Sequence, residues 1–379
     1  MADELNPTDN LNAKDFSRGL EQKRIPSLSL SSKVFLKDNM SLEAIYIPFG
    51  QKDEYPVDVA EQLRTSLEEQ VSTLSSAFGP GLSIPININV VEKDIPYEFS
   101  SFIPAVKFNY FSKVDFSLSY IYDIDPFLTP IIDASFNLNM AEPLKSYGDI
   151  HIKLVNERIH RIGFSTKTTI KSMAVWFEST YSISEDIKLD DLEKRNHNLS
   201  WTIGGDLNYG PDNRFYLNFQ YTGKWIPKYD NTFYTDFVKG QPDINELLGS
   251  ENYLNDFLYR SLVYKLAYEN EALLNGFTLA MDFMSSSEKF KPSLAVSYYL
   301  PSMYDEKEKT RYGSLYLMPE ISIFPADALT FTLGLQFMKS WQKFADSNEI
   351  TNDDMDRIGM WVNDSNIYFK VNYLWSKTI

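Results

Sequence analysis

The chain is expected to fold as an all-β protein: an antiparallel transmembrane β-barrel of about 14–16 strands, with one or two helical loop insertions. Three observations predict it. Short segments between Leu28 and Trp375 alternate apolar with polar residues: Leu199, Trp201, Ile203, Leu207 and Tyr209 interleave with Ser200, Thr202, Gly204, Asp206 and Asn208. Successive strand side chains point to opposite faces, so each such segment has one apolar and one polar side. No apolar run approaches the ~20 residues of a membrane helix, which excludes a helical membrane protein but not a barrel. Finally, short connections alternate with long ones, as the two ends of a bacterial barrel require.

Taken in order, residues 1–27 are polar and read as an irregular segment, and 28–379 as the barrel. Segments 28–36 and 40–48 make a hairpin across Lys37-Asp38-Asn39. A long excursion, 49–102, follows. Within it Val59, Leu63, Leu67, Val71 and Leu74 fall at helical spacing, so a helical insertion is expected near 57–78, stopped by Gly79-Pro80-Gly81. Strands are expected at 103–111, 114–122, 130–140, 149–156, 159–170 and 172–183. The next pair, 198–209 and 213–225, is joined through Gly210-Pro211-Asp212-Asn213, a strong turn sequence. The last set is 275–284, 291–300, 313–323, 329–338 and 365–376, with a tight turn at Pro325-Ala326-Asp327. Treating 256–268 as a strand would break the alternation of connections. Leu247, Leu254, Phe257, Leu258, Leu262 and Leu266 recur at helical intervals, so a second helical insertion is expected near 243–268. About fifteen strands then remain. With an odd count and the last strand ending in the periplasm, the first starts at the outer surface, as though an even-stranded barrel lacked its beginning.

Composition narrows the function classes. A formal charge of -16 argues against nucleic-acid binding, which needs a basic footprint. The absence of cysteine removes disulfides, thiolate nucleophiles and Cys-ligated metals. Met1-Ala2-Asp3-Glu4 lacks the basic start and apolar core of a signal peptide, so either a leader has been removed or the chain begins inside a longer protein.

Several stretches resemble a family of bacterial outer-membrane, porin-like proteins of unknown function. Asp3-Glu4-Leu5-Asn6-Pro7-Thr8-Asp9 looks like its D-x-x-N-P-x-D segment, with Arg24-Ile25-Pro26 as the following Arg-x-Pro. Ser41-Leu42-Glu43-Ala44-Ile45-Tyr46-Ile47-Pro48-Phe49, with Tyr55-Pro56 after it, looks like its S-L-E-x-x-x-I-P-F strand. Arg161-Ile162-Gly163-Phe164 and the hairpin from Leu207 to Tyr221 add to the likeness. In such relatives the Asn-Pro segment follows several earlier strands, which agrees with the parity argument. The C-terminal Ser376-Lys377-Thr378-Ile379 departs from the usual terminal aromatic and would move the assembly signal onto Tyr373 and Trp375.

No motif indicates an enzyme, and no catalytic residue, cofactor site or metal site is expected. His151, His160 and His197 lack ligand spacing, and there is no G-x-S-x-G or phosphate-binding glycine loop. The acidic groups at 185–193 and 346–356 read as solvated loops. If Ile150, Ile152, Ile162 and Phe164 face lipid, then His151, Lys153, Arg161 and Lys167 face inward, joined by Lys107, Glu178, Asp206, Asn208 and Gln220 as pore-lining candidates. Tyr209, Phe215, Trp225, Tyr373 and Trp375 suit interfacial girdles. The expected function is a porin-like outer-membrane channel for small hydrophilic solutes, with a helical insertion narrowing the lumen and lipid and solute as its partners. The alternatives are a surface-exposed binding or adhesion protein that uses the barrel as an anchor, and a soluble β-structure with the apolar faces as its core.

Overall fold

The structure is a computed structural model that describes residues 13–15, 23–54, 60–68 (without 62 and 66), 85–95, 99–137, 147–188, 194, 196–228, 273–300, 311–343, 350–351 and 365–374. Within the segment expected to be irregular, β1 (Lys14–Asp15) and β2 (Lys23–Arg24) form a two-residue bridge. The remaining strands are β3 (Leu30–Lys37), β4 (Met40–Ile47), β5 (Ile86–Glu92), β6 (Ile103–Tyr110), β7 (Val114–Asn137), β8 (Tyr147–Ile170), β9 (Met173–Ser184) and β10 (Asn198–Tyr209). They continue with β11 (Phe215–Trp225), β12 (Leu273–Phe283), β13 (Phe290–Leu300), β14 (Arg311–Ala326), β15 (Leu329–Lys343), β16 (Ile350–Thr351) and β17 (Asn366–Tyr373).

Strands β3 to β17 make one 15-stranded sheet, within the expected range. Neighbours in sequence are neighbours in space and antiparallel, as in a meandering barrel wall, and β5 alone pairs parallel, to β8. Setting aside the two-residue β16 and the added β5, thirteen strands cross the wall. Their connections alternate. Short turns at 38–39, 111–113, 171–172, 210–214, 284–289 and 327–328 mark one end, and the longer connections mark the other. The turn after β10 works because Gly210, Asp212 and Asn213 take positive φ (85°, 56° and 53°), which glycine and short polar residues tolerate best. β3 and β17 are not paired with each other among the described residues.

Register separates two faces. Across from one another on one face lie Ser117 and Ser165, Ser165 and Glu178, Glu178 and Thr202, Thr202 and Thr222. The other face carries Leu118 opposite Phe164, and Phe177, Ile203, Tyr221 and Phe277 in one row. Exposure runs opposite to that of a water-soluble fold: Leu118 is 53% exposed and Leu333 54%, against 4% for Ser119 and 7% for Thr332. A contiguous apolar surface of this extent marks an interface with another apolar phase. From Phe215 to Trp225 is 11 residues. At about 3.3 Å per residue and a tilt of about 40°, that spans roughly 25 Å, the height of a membrane-facing band. Tyr209, Trp225 and Tyr373 are exposed at the ends of this band, whereas Trp375 lies outside the described residues.

Two strands depart from the expected lengths. Segment 114–122 and the described part of 130–140, up to Asn137, belong to the single 24-residue β7, and 149–156 and 159–170 to the 24-residue β8. A bulge joins their halves: the register shifts between Ile124, opposite Arg158, and Leu128, opposite Asn156. The shift is by two residues, so the alternation stays in phase. The halves beyond it rise past the loop end of the wall, and β5 adds a third strand there. β5 lies inside the excursion read as strand-free, although Ile86, Ile88 and Val90 alternate with Asn87 and Asn89.

This extension corrects the expectation that Ile150 and Ile152 face lipid. Ile150, Ile152 and Leu154 are buried together with Leu63 and Leu67, and Ala60, Ile86, Ile88, Val90, Leu128 and Ile132 pack around them. The helical residues between Ala60 and Glu68 fall in the insertion expected near 57–78, while the one expected near 243–268 lies outside the described residues. An apolar side chain above the wall meets water unless something covers it, and the helix supplies that cover. Its contacts lie on the face of β8 that carries Ile162 and Phe164, not on the polar face where a constriction was expected. A second cluster, Ile47, Ile103, Ala105 and Ile121, lies at the loop end of the polar face.

Lys52 ties the excursion down. Its Nζ lies 2.5 Å from Glu92 Oε1 and 2.9 Å from Asp94 Oδ1. Burial alone would lower the Lys52 pKa, but the hydrogen bonds and charges of Glu92 and Asp94 outweigh it and raise the ammonium above its ordinary 10.5. The same contact lowers Asp94 below its ordinary 3.8. Asp94's contribution is therefore present above pH 3.8 and lost as pH falls through its depressed value. That of Lys52 is present below pH 10.5 and lost as pH rises through its raised value. Amide exchange in β5 should stay slow between these limits and accelerate outside them; acceleration near neutrality would count against this tether. Truncating Ile150, fully buried in the extension, to Ala should cost about 2–5 kcal/mol locally. Limited proteolysis should then cut the 48–102 region faster while leaving β10–β15 intact.

Candidate functional site: a charge-paired polar face

Nearly every crossing strand contributes one charged residue to the polar face. Register places Lys33, Lys107, Arg161, Lys167, Lys224, Lys291 and Lys370 there, along with Glu43, Asp115, Asp123, Glu178, Asp206, Asp282 and Glu320. Among the described residues of the wall, below the bulge, seven bases thus meet seven acids on this face, in a chain whose overall charge is -16; beyond the bulge Asp133, Asp149 and Lys153 stand on it too. The excess acid resides elsewhere.

The charges alternate in sign where they are neighbours. Glu43 sits directly between Lys33 and Lys107, and Asp115 faces Lys167. Arg161 Nη1 is 2.7 Å from Asp123 Oδ2, with both side chains largely buried. Lys291 Nζ is 2.8 Å from Asp282 Oδ2. Tyr368 donates its hydroxyl to Glu320, and the Lys370 ammonium lies 4.6 Å from the Tyr368 ring centre. Hydroxyl and amide contacts fill the intervals: Ser117 to Ser165 at 2.7 Å, Thr278 to Ser297 at 3.1 Å, Ser322 to Thr332 at 2.8 Å, and Gln220 Nε2 donating to Asn218 Oδ1 at 3.0 Å. Opposite charges across a ladder lower each other's desolvation cost, whereas like charges would repel.

The sequence-derived candidates divide by height and exposure. Lys107, Arg161 and Asp206 are half-buried on the polar face of the wall, Glu178 and Gln220 are buried there, and Lys167 and Asn208 are exposed near the turn end. His151 and Lys153 share the same face of β8 and are exposed, but stand in the extension above the wall. The structure therefore does not gather the nine into one ring. Asp123, the partner of Arg161, lies one residue past the strand expected at 114–122 and so escapes the sequence pattern. Glu43, Asp282, Lys291 and Glu320 become candidates only once cross-strand register is known.

Aromatic rings fill space left by glycine on both faces. Trp176 lies over Gly204 on the polar face and Trp201 over Gly223 on the apolar face, each so close that a Cβ on the glycine would collide with the indole. Neighbouring strands thus exchange a ring for a missing side chain. Among the described residues, no group of three or more His, Asp or Glu is placed to hold a metal.

No family model matches the chain, and no curated protein matches it. Among solved structures, the outer membrane channel DcaP of Acinetobacter baumannii is 6% identical with TM-score 0.38, covering 91% of this chain and 83% of that one. The outer-membrane expressed OmpT of Vibrio cholerae is 8% identical with TM-score 0.30, covering 75% and 92%. Both are bacterial outer-membrane proteins. At these TM-scores the functional reading rests on the side chains of this chain and not on either likeness.

Replacing Gly204 by Val should displace Trp176 and destabilise the sheet by about 1–3 kcal/mol. Denaturant unfolding followed by tryptophan fluorescence would measure it. An unchanged midpoint would show that the indole does not depend on the bare backbone.

Proposed function

We propose that this chain forms the wall of a bacterial outer-membrane channel through which small hydrophilic solutes diffuse. The observation that carries this reading is the pairing of an exposed apolar face with a polar face on which, within the wall, acids and bases pair across strands. The apolar face meets lipid and the polar face lines the lumen. Lys107, Arg161, Lys167, Glu178, Asp206, Asn208 and Gln220 line the wall, while His151 and Lys153 stand above its mouth. Paired charges leave little net field along the lumen, so discrimination between cations and anions is weak, as rings of mixed sign would make it. The long connections face outward, following the rule that periplasmic turns are short.

A second reading keeps the membrane wall but makes it an anchor. What favours it is the extension, in which β5, the upper halves of β7 and β8 and the helical residues build a separate apolar core beyond the wall. Such a platform suits a surface-exposed binding protein.

Single-channel recording in planar bilayers separates the two readings. A channel should conduct with near-equal cation and anion permeability. Asp206→Lys should then shift the permeability ratio toward anions by about twofold. A correctly inserted protein that never conducts would remove the channel reading and leave the anchor.

A further inference from the structure

The charge of -16 is not spread evenly along the chain. Strand order assigns each connection to one end of the wall, and the sequence supplies its charge. The loop end receives 48–102, 138–146, 185–197, 226–272, 301–310 and 344–365, which together hold thirty-two acids and fourteen bases. The six turns at the other end hold four acids and four bases. The surplus acid of the whole chain therefore belongs to the connections of one end, while the opposite end and the wall between them are close to neutral.

Contacts among the described residues show the same contrast. At the loop end Lys52 meets both Glu92 and Asp94, and Arg64 meets both Glu61 and Glu68. Each of these cations balances only one of its two carboxylates. Within the wall the pairing is one to one, Arg161 with Asp123 and Lys291 with Asp282. Glu54 is exposed and makes no ion pair among the described residues. On the polar face of the extension, above the mouth, exposed Asp133 lies across from His151, which Asp149 and Lys153 flank along β8. Because the described residues include no group of three or more placed to hold a metal, these acids share a field and not a coordination site.

We propose that the loop end acts as an electrostatic funnel, drawing small cationic solutes to the mouth and turning anionic ones away. The inference rests on the channel reading and adds the charge class of the solute. Fixed charge of one sign around an entrance raises the local concentration of counterions and their rate of entry. Its reach depends on salt: about 3 Å at 1 M, about 10 Å at 0.1 M and about 30 Å at 0.01 M. In concentrated salt the acids act only on what touches them, and the paired charges of the lumen set the permeability. In dilute salt their separate fields merge across the mouth. Selection then takes place before entry, so a lumen that passes solutes of either sign still admits more of one.

Reversal potentials of the full chain in planar bilayers, under a fixed gradient of potassium chloride, test the funnel. The ratio of potassium to chloride permeability should be near one in salt of about 1 M and should rise about threefold or more in salt of about 0.01 M. Glu54→Lys combined with Asp133→Lys should lower the dilute-salt ratio by about 1.5-fold and leave the concentrated-salt ratio unchanged. A native ratio that stays flat on dilution would overturn the proposal, as would a variant that keeps the native ratio in dilute salt. Should that variant fail to insert, Glu54→Gln with Asp133→Asn, which preserve side-chain volume, should lower the ratio in the same direction by a smaller factor. A chain that conducts with no salt-dependent preference removes the funnel alone. A correctly inserted chain that never conducts removes the channel reading and the funnel with it, so the two failures are told apart.

Discussion

Everything in this structure depends on satisfying backbone polar groups along the direction that side chains do not use. In a hydrocarbon phase no water can take an orphaned N–H or C=O, so a crossing strand is satisfied by bonding to its neighbours, as the inner crossing strands are along both edges. That requirement dictates the meander, the tight turns at one end and the strict two-residue period. Once the ladder is set, each residue can choose only between two faces, and a slip of one position would exchange them wholesale. The wall tolerates the long bulge between Ile124 and Leu128 because its shift is even. An odd shift would have turned Leu118 and Phe164 toward the polar side.

The same constraint explains how the polar face is built. Side chains there stand directly opposite one another, so their charges must be arranged across strands and not along them. Lys33, Glu43 and Lys107 lie 10 and 64 residues apart in sequence yet occupy one row. The row, not the segment, is the unit in which electrostatic balance is achieved. Where a ring occupies the space of two neighbours, as Trp176 does over Gly204, the opposite strand yields its side chain.

Local pattern was enough to read the hairpin β10–β11 almost to the residue, since Gly210 through Asn213 mark the turn and the flanking alternation is unbroken. It failed where the ladder carries strands through residues that locally look like interruptions. Asp123, Asp125 and Pro126 fall between two expected strands, yet β7 runs through them because β8 is long enough to pair on both sides of the bulge. Ile150 and Ile152 alternate no differently from Ile162, and only a helix about 90 residues earlier in the chain, through Leu63 and Leu67, decides that they meet protein. The nine candidate residues were chosen by strand face, which parity supplies, but their heights and partners depend on register between distant segments. No single strand contains that information.

The thirteen crossing strands make the two outer edges alike in polarity. β3 and β17 both run from the loop end toward the turn end. Brought together, they could pair only in parallel, with slanted hydrogen bonds and a different spacing from the rest of the wall. A neighbouring copy inserted the same way up meets the same mismatch, because rotation about the membrane normal cannot reverse a strand. Among the described residues, antiparallel bonding to either edge is open only to a strand that climbs from the turn end to the loop end. Chain polarity by itself thus decides which kind of pairing these two edges can make, before any side chain is consulted.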